Sequence, residues 1–334
     1  MIVVIVGITG LVGTKIAHLL EKRKFIISEF IPVASEDSVG KTFKFNGVVK
    51  NVISLNMLIN LPMFDIKTPI LIFFASTTTI SRMWVPILLK YTQVKIIDNS
   101  SHFRLQESVP LVIPEVNAHT ISKDTRLVAN PNCSTAQLAM VLHPLHNKYR
   151  IKRVVVTTFQ SVSGAGNAGI NQLYAERNKT AMSAQNDVFP TQIDMNCIPQ
   201  CDQMDARTSY TGEEIKLQLE TPKILNADIK LTATAVRVPV IGGHSESVNI
   251  EFYNEFEIDD IKQILRNFPG VAIKELGCPV AVQGEEDVWV SRIRRDYSQE
   301  KTINLWIVAD NLMKGAALNA VQIGEILLKE TLVS

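Results

Sequence analysis

Cys133 has the strongest setting for chemistry in this sequence. It follows Asn132 in the stretch Asn-Pro-Asn-Cys-Ser-Thr, ahead of a helix-like run of residues. Pro131 and Asn132 are typical of a helix start, so Cys133 is predicted in the first turn of a helix. There the helix dipole and the open N–H groups would stabilise a thiolate, and they could also stabilise an oxyanion. A small core residue is the other interpretation, and the residues alone leave both open.

Two further residues, Arg237 and His244, could bind an anion and move a proton. Arg237 lies in an apolar strand-like segment, on one face with Ala233 and Ala235. A cation in such a strand needs an anion, which is either a protein carboxylate or the carboxylate of a substrate. His244 follows two glycines, and we predict it in a loop between two strands, where it could act as an acid or base.

Other polar residues have weaker settings. A strand-like segment ends at Gln160, for which simple solvent exposure is favoured over a place in a site. Glu213 and Lys216 lie three apart on one face of a predicted helix, and the spacing favours a surface ion pair. Cys197 and Cys201 have no second cysteine pair or histidine nearby, so no metal site is predicted.

A glycine loop close to the N-terminus predicts a nucleotide site. Gly7, Gly10 and Gly13 form a G-x-x-G-x-x-G pattern directly after the apolar run Ile2–Val6 and at the start of a helix-like stretch. Without side chains, the backbone N–H groups of such a loop can approach a pyrophosphate at the helix N-terminus. A purely structural tight turn is the alternative.

The end of the next strand should distinguish NAD from NADP. Glu36 lies 36 − 13 = 23 residues past the last glycine of the loop, where a carboxylate that binds the ribose is expected. A carboxylate there would repel a 2′-phosphate. A solvated loop carrying two acids is the other interpretation.

The elements that must position these residues differ between the two parts of the chain. The first third alternates strands with helices, which predicts a doubly wound parallel sheet. Its predicted elements are the strands Ile2–Val6, Ile26–Ala34, Ile70–Ala75 and Val94–Asp98 and the helix Gly13–Arg23.

The rest of the chain carries longer, β-branched segments, and we expect one helix between successive strands. They predict an α+β domain with a mixed or antiparallel sheet, followed by a last helix over Lys314–Leu328. The predicted strands are Val154–Val162, Ile229–Val240, Val248–Phe256 and Thr302–Ala309.

Composition excludes several classes of protein. The 334 residues carry 34 Lys and Arg against 33 Asp and Glu, so no nucleic-acid partner is expected. Hydrophobic residues make up 46%, enough for a sizeable core and against disorder. The sequence has no apolar run of 18 or more residues, so no membrane-spanning helix is predicted. Four cysteines are too few for a disulfide scaffold, and a reducing cytoplasm is the expected location.

Eight motifs in fixed order resemble those of the bacterial aspartate-4-semialdehyde dehydrogenase family over essentially the whole chain. They are GITGLVG, NSSHFR, VIPEVN, NPNCSTAQL, TFQSVSGAG, EEIKLQLETPKIL, VRVPVIGGHSES and VADNLMKGAA. The resemblance implies reduction of L-aspartyl-4-phosphate to aspartate-4-semialdehyde with NADPH and release of phosphate. It also implies a place in lysine (through diaminopimelate), methionine and threonine synthesis.

The resemblance further implies a Rossmann-like doubly wound parallel sheet and an α+β catalytic and dimerisation domain with a mixed sheet. The dinucleotide-binding domain would span residues 1–131, completed by the C-terminal helix at about 313–334, and the catalytic domain residues 132–312. Self-association to a homodimer or tetramer is expected.

Site roles follow from the same resemblance. Cys133 would form an acyl-thioester, His244 would be the acid/base and Gln160 would orient the substrate. Substrate and phosphate would be bound by Arg104, Asn132, Glu213, Lys216 and Arg237. The expected cofactor contacts are Gly7, Thr9, Gly10, Leu11, Val12, Gly13, Ser35, Asp37, Ser38, Ser76, Ser163, Gly164 and Asn311.

The chain departs from the family pattern at two places. Asp37, preceded by Glu36, stands where members often carry a basic residue, so use of NAD is expected beside NADP. Thr77–Thr79 replaces a glycine-containing run after the strand Ile70–Ala75. N-acetyl-glutamyl-phosphate reductase is the alternative enzyme, and a non-catalytic dinucleotide-binding regulator is the alternative class.

Overall fold

The computed structural model describes residues 1–179 and 188–332, which form two units. One unit comprises residues 1–131 together with the described residues from Ala316 onward, and the other spans Asn132–Gly315. No helix among the described residues is both long and apolar enough to span a bilayer.

The first unit is built on a five-stranded parallel sheet of order β2-β1-β5-β6-β7. Its central strands are buried along their whole length, as expected of a sheet covered on both faces. A separate hairpin, β3-β4, follows β2. The strands are β1 Ile2–Val6, β2 Glu29–Val33, β3 Thr42–Phe45, β4 Val48–Asn51, β5 Ile70–Phe74, β6 Val94–Asp98 and β7 Leu127–Ala129.

Helices of this unit connect and cover the parallel strands. The last helix returns to the first: Arg23 at the end of α1 forms an ion pair with Glu325, with Nε 2.6 Å from Oε1. The helices are α1 Leu11–Lys22, α2 Leu55–Leu58, α3 Thr78–Leu88 and α4 Pro114–Asn117, and the last helix of the chain spans Leu318–Leu332.

The second unit contains a six-stranded mixed sheet of order β11-β12-β13-β10-β8-β9. The pairs β11-β12 and β8-β9 are parallel and the others antiparallel. Together the two sheets confirm the predicted fold class. The strands are β8 Ile151–Gln160, β9 Lys230–Arg237, β10 His244–Phe252, β11 Val271–Ile273, β12 Val288–Arg295 and β13 Thr302–Ala309.

One long helix, α5, packs on the centre of this sheet and against α7. Twelve of its 17 residues are buried, so its position is fixed by apolar packing rather than by helix propensity. The helices of this unit are α5 Cys133–Tyr149, α6 Gly166–Arg177, α7 Gly212–Leu225, α8 Ile258–Asn267 and α9 Pro279–Val282; the last helix of the chain is therefore α10.

The structure corrects several predicted bounds. The predicted strand over Val248–Phe256 begins earlier, at His244, and ends at Phe252. The expected single helix between successive strands is wrong for β9 and β10, which are joined by a loop, and for β8 and β9, between which both α6 and α7 lie. The predicted helix from Lys314 starts as a π-helical turn, Met313–Ala317, and becomes α-helical only at Leu318. The strands β1, β6 and β13 have the predicted bounds.

Candidate active site

Cys133 is the first residue of α5, as predicted. The Asn132 side chain caps this helix, because its Oδ1 accepts hydrogen bonds from the N–H groups of Ser134 (3.0 Å) and Thr135 (3.1 Å). The thiol is half-buried. A Cβ at Gly315 would lie 2.8 Å from the Cβ of Cys133, so only glycine lets that backbone come so close. Gly315 therefore packs directly against Cys133 at the helix start.

An amide–carboxylate cluster of Asn132, Gln160 and Glu213 lies beside this helix start. Glu213 Oε1 accepts hydrogen bonds from Asn132 Nδ2 (2.7 Å) and Gln160 Nε2 (3.0 Å). Gln160 Nε2 also donates to Ser134 Oγ at 2.9 Å. Gln160 is only 1% exposed, so the favoured interpretation of this residue as solvent-exposed is wrong.

Glu213 is held in this cluster by a capping box at the start of α7. The Thr211 side chain accepts from the N–H of Glu214, and the Glu214 carboxylate accepts from the N–H of Thr211 (2.7 Å) and of Ala235 in β9 (2.8 Å). The helix start is thereby tied to the sheet. Glu213, one residue earlier, projects to the other side and contacts Asn132 and Gln160.

Burial disfavours ionisation of Glu213, but its neighbours outweigh burial. The Lys216 ammonium, the amides of Asn132 and Gln160 and the Arg237 guanidinium lower the pKa of Glu213 to about 2. Lys216 Nζ lies 3.2 Å from Glu213 Oε2. Glu213 is 7% exposed, so this pair is not the surface ion pair that the spacing favoured. The site holds a buried carboxylate that is ionised at neutral pH.

His244 lies at the start of β10 rather than in a loop, and it is fully buried. Its Nδ1 accepts a hydrogen bond from the Ser161 N–H at 3.1 Å, which assigns the ring proton of the neutral imidazole to Nε2. Nε2 is buried and has no hydrogen-bond partner among the described residues. Burial, followed by the positive charge of Arg237, lowers the pKa of His244 to about 3. The ring is therefore neutral with one N–H to donate.

Arg237 ends β9 and is 8% exposed. Its Nη1 donates to the Ser161 carbonyl at 2.8 Å, and its guanidinium lies 5.8 Å from the centre of the Phe189 ring. The sequence left a protein carboxylate as one of two possible partners of Arg237. Among the described residues, however, Arg237 forms no ion pair with a carboxylate. A Cβ at Gly164 would lie 2.6 Å from Arg237 Nη1 and 3.2 Å from His244 Nε2. Glycine at 164 therefore leaves the space beside both groups open.

Part of the cluster opens into a cleft of about 500 Å³. The cations Lys216 and Arg237 line the cleft, together with the Glu213 carboxylate, Gly164 and Cys201. Burial raises the pKa of the Cys201 thiol to about 12, so Cys201 is a neutral part of the wall. Two cations flanking one anion suit a small zwitterion with an additional anionic group.

A second network fixes the loop beside His244. Asn311 Oδ1 accepts from the Gly243 N–H (3.0 Å) and from Ser163 Oγ (3.2 Å), and Asn311 Nδ2 donates to Ser163 Oγ (3.0 Å). Both side chains are buried. These are two of the residues expected to contact a cofactor, and here they position the backbone that precedes His244.

The glycine loop of the first unit has the backbone geometry of a close turn. Gly7 has φ +91°, and a Cβ there would lie 2.2 Å from the Ala75 carbonyl oxygen. A Cβ at Gly13 would lie 2.2 Å from the Gly7 carbonyl oxygen. The helix α1 begins at Leu11, so the N–H groups of Leu11, Val12 and Gly13 stand in its first turn. Thr9 and Gly10 complete this turn, and Thr9 is exposed.

Side chains at the end of β2 mix negative and positive charge. Ser35 precedes a short turn over Glu36–Ser38, and Asp37 in it is exposed. Glu36 Oε1 accepts a hydrogen bond from Asn56 Nδ2 at 3.0 Å. Lys41 Nζ donates to Ser38 Oγ at 3.4 Å. Lys41 therefore contacts the residue that directly follows the two acids in sequence.

Two further expected site residues also belong to the first unit. Ser76 follows β5 and its Oγ is buried without a hydrogen-bond partner among the described residues. Thr77 caps α3, so the threonine run starts a helix. Arg104 is buried and its Nη2 donates to the Asn99 carbonyl at 2.7 Å. The unpaired Ser76 hydroxyl, together with the glycine turn, fits a bound nucleotide.

Sequence reasoning missed three residues that shape the second unit's site. Ser161 holds both His244 and Arg237 through its backbone. Glu220, on α7, accepts a hydrogen bond from the Asn132 N–H at 2.8 Å. Asp202 forms an ion pair with Lys216 at 2.8 Å. Only Glu220 could have been found from the sequence, because it is a charged residue seven positions from Glu213 on one face of the same helix. Ser161 and Asp202 make their contacts with residues of other segments, which no local pattern shows.

Two family models match the chain. The semialdehyde dehydrogenase NAD-binding domain matches residues 2–124, and the semialdehyde dehydrogenase dimerisation domain matches residues 142–314. A nucleotide-binding domain for NAD or NADP and a dimerisation domain are thus present.

Curated relatives and solved structures agree with these matches. Aspartate-semialdehyde dehydrogenase of Rickettsia bellii is 41% identical, with 98% of this chain and 97% of that protein covered. The enzyme of Shewanella violacea is 40% identical, with 98% of each covered. The crystal structure of aspartate semialdehyde dehydrogenase II from Vibrio cholerae complexed with ASA is 38% identical, with a TM-score of 0.91 and 98% of each chain covered.

Proposed function

The chain belongs to the aspartate-semialdehyde dehydrogenase family, and on that premise we propose that it reduces L-aspartyl-4-phosphate to L-aspartate-4-semialdehyde through a thioester on Cys133, with NADP as the cofactor. The observation that carries this proposal is the ionised Glu213 between Lys216 and Arg237, beside a thiol at a helix N-terminus. An amino acid with an acyl phosphate has an ammonium, a carboxylate, an electrophilic carbonyl and a dianion. The site offers a partner for each.

The first chemical step is acyl transfer. The Cys133 thiolate attacks the C4 carbonyl, the new C–S bond forms and the C–O bond to phosphate breaks. The α5 N-terminus favours both the thiolate and the oxyanion that develops on the carbonyl oxygen. Lys216 and Arg104 are assigned to the phosphate, whose negative charge grows as it leaves.

The second step reduces the thioester. The nicotinamide cofactor, when bound, supplies the hydride, and the residues present fit it through the glycine turn, the first turn of α1 and the unpaired Ser76 hydroxyl. His244 is assigned the acid/base role: its Nε2–H donates a hydrogen bond to the oxyanion that forms when hydride adds to the thioester carbon. The C=O bond then re-forms as the C–S bond breaks, and the electron pair leaves on sulfur as the Cys133 thiolate. Asn311 and Ser163 support this residue by holding the backbone of Gly243.

Substrate recognition is assigned to the amide–carboxylate cluster and Arg237. Glu213 accepts the substrate ammonium, Asn132 and Gln160 orient Glu213 and the carbonyl, and Arg237 binds the substrate carboxylate. Arg237 suits this role because it has no carboxylate ion-pair partner among the described residues and adjoins open space at Gly164.

Changing Arg237 to lysine should therefore act on binding. We expect the KM for aspartate semialdehyde to rise about tenfold or more with kcat changed less than about threefold, because lysine cannot form the two-pronged contact with a carboxylate. Steady-state kinetics with Arg207→Lys, an exposed arginine, as the control would test this. A large fall in kcat at unchanged KM would contradict the role.

The preference for NADP over NAD is expected to be weaker than in a strongly NADP-selective enzyme, because Glu36 and Asp37 lie beside the expected position of the ribose. Lys41, next to Ser38, offsets them in part. We predict measurable activity with NAD and a shift toward NADP of about fivefold or more in Asp37→Arg, read as the ratio of kcat/KM values.

Asp124→Arg, the same charge change on an exposed turn, is the control for that prediction. A wild-type preference for NADP above about a thousandfold (about 4 kcal/mol at 1.36 kcal/mol per decade), unchanged in Asp37→Arg, would contradict the charge argument.

The remaining assignments extend the same proposal. The enzyme works as a homodimer or tetramer, without nucleic acid or membrane partners, in lysine, diaminopimelate, methionine and threonine biosynthesis. A reducing cytoplasm fits the need for a thiol at Cys133.

A phosphate-dependent assay tests the function. The protein should reduce NADP when given both aspartate semialdehyde and phosphate, and should be far slower with N-acetylglutamate semialdehyde, because an acetylated amine cannot pair with Glu213. Faster turnover of the acetylated substrate would favour N-acetyl-glutamyl-phosphate reductase. Cofactor binding with no turnover of either would favour a regulator.

A further inference from the structure

Lys216 shares its ammonium between two carboxylates of different character. Its Nζ lies 2.8 Å from Asp202 Oδ2 and 3.2 Å from Glu213 Oε2. We propose that Asp202 is a resident anion of the phosphate subsite: its carboxylate contacts Lys216 while phosphate is absent, and phosphate displaces it. This inference rests on the proposed function, which assigns Lys216 to the phosphate.

The surroundings of the two carboxylates indicate which one yields. Glu213 is buried and its other oxygen is held by the amides of Asn132 and Gln160. The Asp202 side chain is 43% exposed and lines the cleft. A side chain at the cleft wall with access to water can turn outward, whereas Glu213 cannot leave without breaking its hydrogen bonds to two buried amides. Asp202 is therefore the exchangeable partner.

The backbone builds Asp202 into this position. Its φ of +71° lies in the left-handed region, which aspartate and asparagine tolerate better than most residues. Its Oδ1 accepts a hydrogen bond from the Gln203 N–H at 2.8 Å. A Cβ at Gly212 would lie 2.7 Å from Asp202 Oδ2, so glycine at the start of α7 leaves room for the carboxylate. The contact with Lys216 is thus specified by the loop.

Charge sets the direction of the effect. The Lys216 ammonium, with the N–H of Gln203, lowers the pKa of Asp202 despite its partial burial, so Asp202 is an anion at neutral pH. A phosphate dianion arriving at Lys216 would lie next to this carboxylate and be repelled until the carboxylate turns away. Asp202 therefore weakens phosphate binding and favours its departure once the acyl group has moved to Cys133.

Asp202→Asn is the variant that tests this role. Asparagine keeps an oxygen for the Gln203 N–H and tolerates the left-handed backbone, but it removes the negative charge. We expect the KM for phosphate, and the Kd of inorganic phosphate measured by calorimetry without other substrates, to fall about threefold to tenfold. The KM for aspartate semialdehyde should change less than about twofold.

Asp205→Asn is the matched control. Asp205 lies in the same loop, carries the same charge and pairs with the exposed Arg207 at 3.6 Å. Its phosphate KM and Kd should stay within about twofold of wild type.

An unchanged or weaker phosphate affinity in Asp202→Asn would overturn the inference, since it would make Asp202 an anchor for Lys216 rather than a competitor. An equal gain in both variants would reduce the effect to net charge and overturn it too. A wild-type protein that binds phosphate but shows no phosphate-dependent turnover would instead refute the proposed function, and the calorimetric comparison would still decide the role of Asp202.

Discussion

Replacing Cys133 by serine is expected to lower kcat at least about a thousandfold. This corresponds to an increase of about 4 kcal/mol in the activation free energy, at 1.36 kcal/mol per decade. The helix N-terminus of α5 favours the thiolate of a cysteine, whereas a serine hydroxyl in the same place has a far higher pKa and stays protonated at neutral pH. The measurement is kcat for phosphate-dependent NADP reduction with aspartate semialdehyde. Cofactor binding, followed by fluorescence, should be unchanged because the glycine loop is untouched.

Cys197→Ser provides the control, because Cys197 is exposed and makes no part of the cluster. Its kcat should match wild type. Near-normal activity of Cys133→Ser would rule out covalent catalysis at this residue, whatever the rest of the site does.

His244→Asn is expected to lower kcat by roughly 10²–10⁴-fold, the usual effect of losing an acid/base group. The KM for aspartate semialdehyde should change less than about threefold, since Arg237 and Glu213 bind the substrate. Asparagine can still accept the Ser161 N–H but cannot reproduce the donor at Nε2. The low pKa of His244 also predicts that kcat/KM has no limb near pH 6.5 arising from this ring.

His146 is a matched control within the same unit. It is also a buried histidine whose Nδ1 accepts a backbone N–H, from Ile151 at 3.1 Å. His146→Asn should cost stability but leave kcat within about twofold for the folded enzyme. An equal loss of kcat in both variants would show that the loss reflects damage to the fold rather than acid/base work at His244.

Much of the fold follows from local patterns. The bounds of β1, β6 and β13 were predictable because each is a continuous or alternating apolar run with a clear end. The hairpin β3-β4 was missed, since its strands are largely exposed and mix lysine, asparagine and threonine with apolar residues. The strand β12 was missed because its second half, Ser291–Arg295, is basic and irregularly paired.

The site was predictable where a residue's own segment carried the signal. The helix start at Cys133 follows from Pro131 and Asn132, which lie beside it in sequence. The burial of Gln160 does not follow from its neighbours in sequence, because its partners Ser134 and Glu213 belong to other elements. Likewise the contact between Asp202 and Lys216 depends on the left-handed backbone conformation of Asp202, which no local sequence pattern predicts.

The most direct test of the account is to trap the acyl enzyme. Wild-type protein incubated with aspartate semialdehyde and NADP, without phosphate, should gain one aspartyl group per chain, located by peptide mass spectrometry on Cys133. Addition of phosphate should remove it as aspartyl phosphate. An adduct on another residue, an adduct that phosphate does not release, or one that forms equally in Cys133→Ser would contradict the mechanism.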